Sequence, residues 1–308
     1  MANSPLSSSV TGLPASVSGK YVLAIGESLI DAISQEFIED LSEAKALNII
    51  AGGSPANFCR FLAANNVQAK LVAAVGKDGL GKILMKAIVN AGVSTENIQQ
   101  LDDHFTSLII VARTKGTPDF LPYRDADKYL QPISKDLLAG ASLIHSTAFA
   151  LSYDPARTVI LNAFGEAHLK GIPISLDWNY AGKIWGAKNE ANEIFEGLQT
   201  FNPILKFSMD DAERFFNKSL SIEDAKSLMT PVRAKVICLT CGADGVWFKS
   251  ENGKWEHQPA PAIEVKDATG AGDAFWAGFI TEYLKKSPVS ICIHHGIQNA
   301  AKRLSGLL

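Results

Sequence analysis

Five short apolar runs alternate with amphipathic segments along the chain, and this alternation constrains the fold more than any other feature. The runs occupy residues 21–26, 70–76, 142–147, 172–177 and 235–240. Segments with helical periodicity lie among them, at 55–66, 81–92, 156–171 and 210–217. Short apolar runs are typical of buried strands, and strands that alternate with helices favour a parallel sheet covered on both faces. The sequence therefore predicts an α/β fold.

Two segments, 32–51 and 105–124, interrupt this alternation because their pattern is β-like and half-polar. The second resembles two strands joined by a KGTPD turn at 115–119. We interpret the two segments as a small β-layer, inserted into a domain that spans 19–308, which covers an active site as a lid. Residues 1–18 are rich in serine and lack the basic and apolar regions of a signal peptide, so we expect a flexible tail there.

The composition argues against several classes of function. The chain of 308 residues is 47% hydrophobic and has a formal net charge of -3. Its lysines and arginines are scattered, so there is no electrostatic footprint for a nucleic acid, and no apolar run is long enough to span a membrane. Four cysteines do not suggest a disulfide framework, and we therefore expect a cytoplasmic protein.

Two short motifs resemble functional sites but have simpler interpretations. Cys238 and Cys241 form a C-x-x-C, yet a metal site would need a second ligand pair, so we interpret them as core cysteines. Residues 76–82 fit the pattern G-x-x-x-x-G-K, but Ile83 stands where a phosphate-binding loop needs Ser or Thr to hold magnesium. We interpret this stretch as a turn that opens a helix.

A glycine-rich turn, Gly270-Ala271-Gly272, leads into a helical pattern that begins near Asp273. The first N–H groups of a helix favour a bound anion, and glycine lets the backbone approach a ligand closely. If a phosphoryl group is in transit there, the amides stabilise its charge and Asp273 accepts the proton of an attacking hydroxyl. A carboxylate in the first turn also caps a helix. The residues alone leave the catalytic base and the structural cap as alternatives.

The stretch DATGAGDAFWAGF at 267–279 resembles the C-terminal signature of the ribokinase-like sugar kinases, the phosphofructokinase-B family. The stretch AGGSPANFCRFLAANNVQAKLVAAVGKDGLGK at 51–82 is similar to the other signature of that family. The resemblance covers nearly all of the chain after the tail. It implies an ATP-dependent kinase with a ribokinase-like three-layer fold, which has a mainly parallel central sheet and a small β-sheet lid.

The resemblance also implies a role for individual residues and a set of cofactors. It makes Asp273 the catalytic base and places an anion hole at Gly270, Ala271 and Gly272. ATP and Mg²⁺ are the implied cofactors, and in many relatives a K⁺ ion lies beside the anion hole. The remaining assignments are Asp31, Gly52, Gly53, Asn57 and Arg124 for the sugar, Lys206, Thr240, Gly242, Gly245 and Asn299 for the nucleotide, Asp211 for Mg²⁺ through water, and Asp267 with Thr269 for K⁺.

The chain departs from the family pattern at two places that bear on its substrate. The magnesium-linked N-x-x-E is replaced by Ser208-x-x-Asp211. Ala181 stands where fructokinases and 2-keto-3-deoxygluconate kinases usually have Arg, and losing that guanidinium argues against an acid sugar. Arg124 in the lid is then the remaining candidate for a cation in the sugar pocket.

The expected reaction is phosphorylation of a sugar primary hydroxyl, with fructose converted to fructose 6-phosphate. Glu27, in the loop after the first strand, resembles fructokinases more than ribokinases. The alternatives are a 2-keto-3-deoxygluconate kinase, a ribokinase, a nucleoside kinase and, from another class, a non-catalytic sugar-binding regulator. Relatives often pair their lids across a dimer, so we also expect a homodimer that forms through the lid.

Overall fold

The computed structural model describes residues 20–114 and 120–308, and within these ranges it contains thirteen strands, nine α-helices and five short 3₁₀ helices. The strands are β1 (Tyr21–Ile25), β2 (Leu29–Phe37), β3 (Leu47–Gly52), β4 (Ala69–Gly76), β5 (Ile98–Leu101), β6 (Leu108–Arg113), β7 (Phe120–Tyr123), β8 (Ala141–Thr147), β9 (Ile174–Asp177), β10 (Ile204–Ser208), β11 (Val236–Thr240), β12 (Val246–Ser250) and β13 (Glu256–Gln258). The helices are α1 (Ser54–Ala64), α2 (Gly79–Asn90), α3 (Lys135–Ala139), α4 (Ala156–Leu169), α5 (Lys188–Leu198), α6 (Met209–Phe216), α7 (Ile222–Met229), α8 (Ala271–Leu284) and α9 (Val289–Leu304).

Nine strands form one large sheet in the order β13-β12-β11-β10-β9-β8-β1-β4-β5. Neighbours from β11 to β5 are parallel, whereas β12 and β13 add two antiparallel strands at one edge. Each of the five predicted apolar runs is an interior strand of this sheet, which confirms the predicted α/β fold with a mainly parallel sheet.

Each face of the large sheet is covered by its own hydrophobic cluster. Successive residues of β1 point to opposite faces, as the two-residue repeat of a strand requires: Leu23 packs into one cluster, and Val22 into the other. Helices α4 to α7 cover the first face, and α1, α2, α8 and α9 cover the second. The chain therefore forms three layers.

Four further strands form a separate small sheet in the order β3-β2-β6-β7. The pairs β2–β3 and β6–β7 are antiparallel, whereas β2 and β6 are parallel. This confirms the predicted small β-sheet. The predicted tail at 1–18 and the predicted turn at 115–119 lie outside the described residues.

The connections of the large sheet diverge at β1, which has β4 on one side and β8 on the other. Open α/β sheets bind ligands in the crevice at such a point, beyond the carboxyl ends of the strands. Side chains join the two strand ends here, since Ser146 Oγ donates to Ile25 O at 2.7 Å and Thr147 Oγ1 donates to Glu27 Oε2 at 2.9 Å. The small sheet leaves the main body at this crevice through β2.

The glycine-rich stretch at 76–82 contains the end of β4 and the start of α2. This agrees with its interpretation as a turn that opens a helix. Asp78 caps α2 by accepting a hydrogen bond from Gly81 N at 2.8 Å, and its other carboxylate oxygen accepts from Thr106 N at 2.7 Å. A carboxylate thus occupies the helix start where a phosphate-binding loop would hold its anion.

Cys238 is buried in β11, Cys241 is partly exposed, and neither is in a disulfide. Among the described helices none is long and apolar enough to cross a membrane.

Candidate active site

Asp273 lies in the first turn of α8, directly after the glycine-rich turn. Gly270 adopts φ +74°, a left-handed conformation that suits glycine, and the helix begins at the next residue. Both oxygens of the Asp273 carboxyl group accept hydrogen bonds from the first turn of α1. Ser54 Oγ donates to Oδ1 at 2.6 Å and Asn57 Nδ2 donates to Oδ2 at 3.1 Å. The starts of two helices therefore meet at one carboxylate.

The environment of Asp273 suits a proton acceptor near neutral pH. Burial, together with the negative charge of Asp177, raises its pKa to about 7, against the hydrogen bonds from Ser54 and Asn57. A general base is most effective when its pKa lies near the working pH. The carboxylate accepts hydrogen bonds from α1, and its role as the catalytic base stays a prediction.

Lys206, in the middle of β10, forms a buried ion pair with Asp177 at the carboxyl end of β9. The ammonium lies 2.8 Å from Asp177 Oδ1 and 2.9 Å from Oδ2. Burial disfavours the charged form, but the carboxylates of Asp177 and Asp211 outweigh it and raise the pKa of Lys206. A Cβ added to Gly272 would lie 3.4 Å from the Lys206 ammonium. A positive charge therefore lies against the glycine-rich turn, where an anion would bind.

One amide of the glycine-rich turn already has a partner within the turn. The N–H of Ala271 donates to Ala268 O at 3.2 Å. The next N–H groups of the first turn belong to Gly272 and Asp273, and the first amides of an α-helix have no partner within the helix. The anion hole expected at Gly270, Ala271 and Gly272 stays a prediction, with the amide of Ala271 already engaged.

A first cavity, of about 730 Å³, is lined by Asp177, Lys206, Gly272 and Asp273. Asp211 also lines this cavity. Its Oδ2 accepts hydrogen bonds from Ser208 N at 3.0 Å and Ser208 Oγ at 2.6 Å, so it caps α6. Burial raises the pKa of Asp211 to about 6, although the charge of Lys206 opposes the shift. The Ser208-x-x-Asp211 variant is thus a capping box that keeps a carboxylate facing the cavity.

The donor set fits a magnesium ion that arrives with a nucleotide. Within the described ranges, no group of three or more His, Cys, Asp or Glu side chains is placed to hold a metal by itself. Magnesium usually needs only one or two carboxylates, because substrate phosphates and water complete its shell. Asp211 and Asp177 supply such carboxylates in a cavity that also holds Lys206.

A second cavity, of about 550 Å³, adjoins the first along the other side of the glycine-rich turn. Thr240, Gly242 and Gly245 line it, and their expected contact with the nucleotide stays a prediction. Its other walls are apolar and suit the flat ring of a nucleobase. They include Ala260, Pro261, Ile263, Val265, Phe275, Ile297, Ala300 and Leu304.

Asn299 does not line this cavity, although its neighbours on α9 do. It is buried against α8, where a Cβ added to Gly278 would lie 3.0 Å from the Asn299 Cβ. Its Nδ2 has no hydrogen-bond partner. The nucleotide role of Asn299 stays a prediction, and Ile297, Ala300 and Ala301 are the α9 residues that line the cavity.

A third cavity, of about 510 Å³, lies under the small sheet and meets the first cavity at Gly270. Asp31 and Asn57 line it, and the structure therefore brings two of the expected sugar residues together. A Cβ on Gly52 would lie 2.0 Å from Asp31 Oδ2, so only glycine leaves room for this carboxylate. Burial raises the pKa of Asp31 to about 6. Gly53 adopts φ +96° and directly precedes Ser54, the first residue of α1.

Two arginines that the sequence analysis did not single out also line the third cavity. Arg60 lies three residues after Asn57 on α1, and Arg303 lies near the end of α9. The i, i+3 spacing from Asn57 places Arg60 on the same face of α1, which is a signal that the sequence contains. Sequence reasoning named Arg124 as the remaining cation for the sugar pocket, whereas Arg60 and Arg303 are the arginines that line the cavity with Asp31 and Asn57.

Arg124 itself is held in a buried network of the lid. Its Nε donates to Asp127 Oδ2 at 2.9 Å, its Nη1 donates to Ser152 Oγ, and its guanidinium lies 4.1 Å from the centre of the Phe149 ring. The side chain is 5% exposed, so it is not a solvated charge of the lid. A role for Arg124 in binding the sugar stays a prediction, with its charge already paired.

Asp267 also has a partner within the chain. Arg303 Nη2 donates to its Oδ2 at 2.6 Å, and its Oδ1 accepts from Thr269 N at 2.9 Å. The hydrogen bonds to Thr269 and Arg303 hold the pKa of Asp267 below its usual range, although burial opposes them. The K⁺ site expected at Asp267 and Thr269 stays a prediction, because Arg303 already balances this carboxylate.

Known proteins share this fold and this arrangement of motifs. A model described as the pfkB family of carbohydrate kinases matches residues 20–305. The chain belongs to this family. The family confirms the expected carbohydrate kinase and the ribokinase-like fold.

The relatives of this pfkB-family chain include enzymes with different acceptors. It is 32% identical over 291 residues to the ATP-dependent 6-phosphofructokinase of Thermoanaerobacterium thermosaccharolyticum, with 92% of this chain and 88% of the relative covered. It is 26% identical to the 2-dehydro-3-deoxygluconokinase of Haemophilus influenzae, with 94% and 93% covered. The solved structure of Halothermothrix orenii fructokinase matches with a TM-score of 0.77 and 31% identity, covering 90% of this chain and 98% of that chain.

Proposed function

We propose that this carbohydrate kinase transfers the γ-phosphoryl group of ATP to a primary hydroxyl of a ketohexose, with fructose 6-phosphate as the product from fructose. The observation that carries the proposal is the position of Asp273. Its carboxyl group, with a pKa raised to about 7, lies between the cavity that contains Asp31 and Asn57 and the cavity that contains Lys206. A hydroxyl that enters from the first side meets a phosphate that enters from the second.

The reaction follows from this placement. The acceptor oxygen forms a bond to the γ-phosphorus while the bond from that phosphorus to the bridging oxygen of ADP breaks, and Asp273 takes the hydroxyl proton. The first amides of α8 and the ammonium of Lys206 stabilise the negative charge of the group in transit. Magnesium bound with ATP would neutralise part of the phosphate charge, and Asp211 and Asp177 are the residues that would hold it.

Two features bear on the identity of the acceptor. Ala181, where related kinases carry Arg, packs against the aromatic core beside β9, so it provides no charge for a carboxylate. The cavity under the lid nevertheless contains Arg60 and Arg303. A relative at 32% identity is a 6-phosphofructokinase. A ketohexose that already carries a phosphate is therefore the second candidate acceptor.

The proposal is tested by coupled measurement of ADP release with fructose, ribose, 2-keto-3-deoxygluconate and adenosine as acceptors. We expect release with fructose, and a loss of about two to four orders of magnitude in kcat for Asp273→Asn, because general-base catalysis contributes that much. Binding of ATP, measured by calorimetry, should be retained in this variant. A kcat within tenfold of the parent would show that Asp273 is not the base.

A further inference from the structure

Asp267 and Arg303 form an ion pair directly beside the glycine-rich turn. Arg303 Nη2 donates to Asp267 Oδ2 at 2.6 Å, and the arginine side chain is 19% exposed. A Cβ added to Gly270 would lie 3.9 Å from Arg303 Nε, so the guanidinium group lies against the turn itself. The last turn of α9 therefore brings a fixed positive charge to the backbone that precedes α8.

The end of α9 also holds the segment before the turn through the backbone. Lys266 N donates to Leu304 O at 2.8 Å. Asp267 Oδ1 accepts a hydrogen bond from Thr269 N at 2.9 Å, which closes a tight turn at this carboxylate. The contacts from α9 thus fix residues 266–270, and with them the position of the first amides of α8.

The oxygens around Asp267 bear on the K⁺ ion that the sequence analysis expects there. Proteins bind K⁺ through several oxygens at once, mainly backbone carbonyl oxygens that replace its hydration shell. Both carboxylate oxygens of Asp267 already accept hydrogen bonds, and the adjacent guanidinium repels a second cation. Three carbonyl oxygens at the end of α9 also accept from backbone N–H groups, and they belong to Lys302, Arg303 and Leu304. These residues fit a guanidinium better than a K⁺ ion.

We propose that Arg303 supplies at Asp267 the positive charge that a monovalent cation would otherwise supply, so that phosphoryl transfer by this protein does not depend on K⁺. This inference rests on the proposed kinase function. The guanidinium balances Asp267 and holds the glycine-rich turn, and its charge adds to that of the first α8 amides beside the phosphoryl group in transit. Arg303 is a positioning residue in this arrangement, and it gives up no proton.

The test compares the parent with Arg303→Gln and Arg303→Lys in KCl and in tetramethylammonium chloride of equal ionic strength. The substrates are ATP and the most active sugar of the panel above, and ADP is quantified directly by chromatography, so that no coupling enzyme responds to the salt. The parent should have the same kcat in both salts. Arg303→Gln should lower kcat about 10- to 100-fold in tetramethylammonium chloride, because a charge-assisted hydrogen bond is lost. K⁺ should restore part of this loss, and Arg303→Lys should lose less because it keeps the charge.

The matched control is Lys302→Met, which removes one positive charge from the same turn of α9 at an exposed position. This variant should have the kcat of the parent in both salts. A kcat of Arg303→Gln equal to that of Lys302→Met would overturn the inference, and so would a parent that needs K⁺ for its activity. The comparison of salts for the parent uses no variant, so it tests the inference even if Arg303→Gln does not fold.

Thermal unfolding tests the same place without turnover. Replacing tetramethylammonium by K⁺ should raise the unfolding temperature of Arg303→Gln with increasing K⁺ concentration, and should leave that of the parent unchanged. An Arg303→Gln variant whose activity and unfolding temperature both ignore K⁺ would overturn the exchange of guanidinium for cation. A failure of the kinase proposal is recognised separately, because no sugar would then release ADP while the unfolding temperatures still report on Arg303.

Discussion

Ser54 contacts the proposed base directly through its hydroxyl group. Its Oγ donates to Asp273 Oδ1 at 2.6 Å, and its backbone N donates to Glu27 Oε1 at 3.2 Å. Burial raises the pKa of Glu27 to about 8, although the hydrogen bond from Thr147 opposes the shift. Ser54 therefore connects the buried carboxyl group of Glu27 to that of Asp273, and we propose that it positions the base.

The hydrogen bond from Ser54 predicts a change in the pH profile. Asp273 must be ionised to accept a proton, and its pKa is raised to about 7, so kcat/KM of the parent should rise with pH through about 7. Ser54→Ala removes a bond that favours the ionised form, so the acid limb should move to higher pH by about one unit. The control is Ser142→Ala, which removes a hydroxyl near the start of β8, away from Asp273. This change should leave the acid limb of the pH profile unmoved. An unshifted acid limb in Ser54→Ala would contradict this role.

The sequence could predict the candidate site residues that lie within its motifs. The glycine-rich turn identified Asp273, and the other signature identified Gly52, Gly53 and Asn57. Ser54 and Arg60 lie within that second signature, three residues on either side of Asn57, and helical spacing alone could have placed them near the base. Arg303 could not be inferred in this way, because its contact with Asp267 joins positions 36 residues apart.

At the scale of elements, the sequence identified strands by their apolar runs and missed β10, which has a lysine at its centre. Lys206 interrupts β10, and only the ion pair with Asp177 on the neighbouring strand makes this lysine compatible with a buried position. Strands β12 and β13 were also missed, because they contain polar and charged residues at an antiparallel edge. Pairing with neighbouring strands in the folded protein stabilises these strands. The pattern of residues along the chain does not reveal that pairing.

The contact between α8 and α9 predicts an effect on nucleotide binding. A Cβ on Gly278 would lie 2.8 Å from His295 O, so Gly278→Ala should push α9 away from α8. Because α9 supplies Ile297, Ala300 and Ala301 to the apolar cavity, we expect the KM for ATP to rise several-fold, and stability to fall by about 1–3 kcal/mol.

The matched control is Gly165→Ala in α4, where an added Cβ meets nothing within 4 Å. That change should leave the KM for ATP unchanged and stabilise the protein slightly, since alanine favours a helix over glycine by about 1 kcal/mol. Steady-state kinetics and thermal unfolding measure both variants. An unchanged KM for ATP in Gly278→Ala would show that the spacing of α8 and α9 does not shape the nucleotide cavity.

At the scale of the whole molecule, the small sheet has two unlike faces. Strand pairing places Asp31 and Ile50 in one row across the sheet, and both line the cavity under it. The adjacent row, on the opposite face, contains Ile49 and Leu121, joined through Ala32 and Ile110. Leu47 and Tyr123 extend that face, and the four end residues Leu47, Ile49, Leu121 and Tyr123 are 37%, 48%, 42% and 59% exposed.

An apolar face of this kind on a small sheet favours association, so we propose a homodimer that forms through the lid. Light scattering at micromolar concentration should give about twice the 33.1 kDa mass of the chain. Ile49→Asp combined with Leu121→Asp should give a monomer with an unchanged circular dichroism spectrum, because two buried carboxylates without partners oppose the contact. Val89→Asp, at a position of α2 that is 58% exposed, is the control and should remain dimeric. A monomeric parent, or a dimer that survives both lid changes, would show that this face is not where the chains associate.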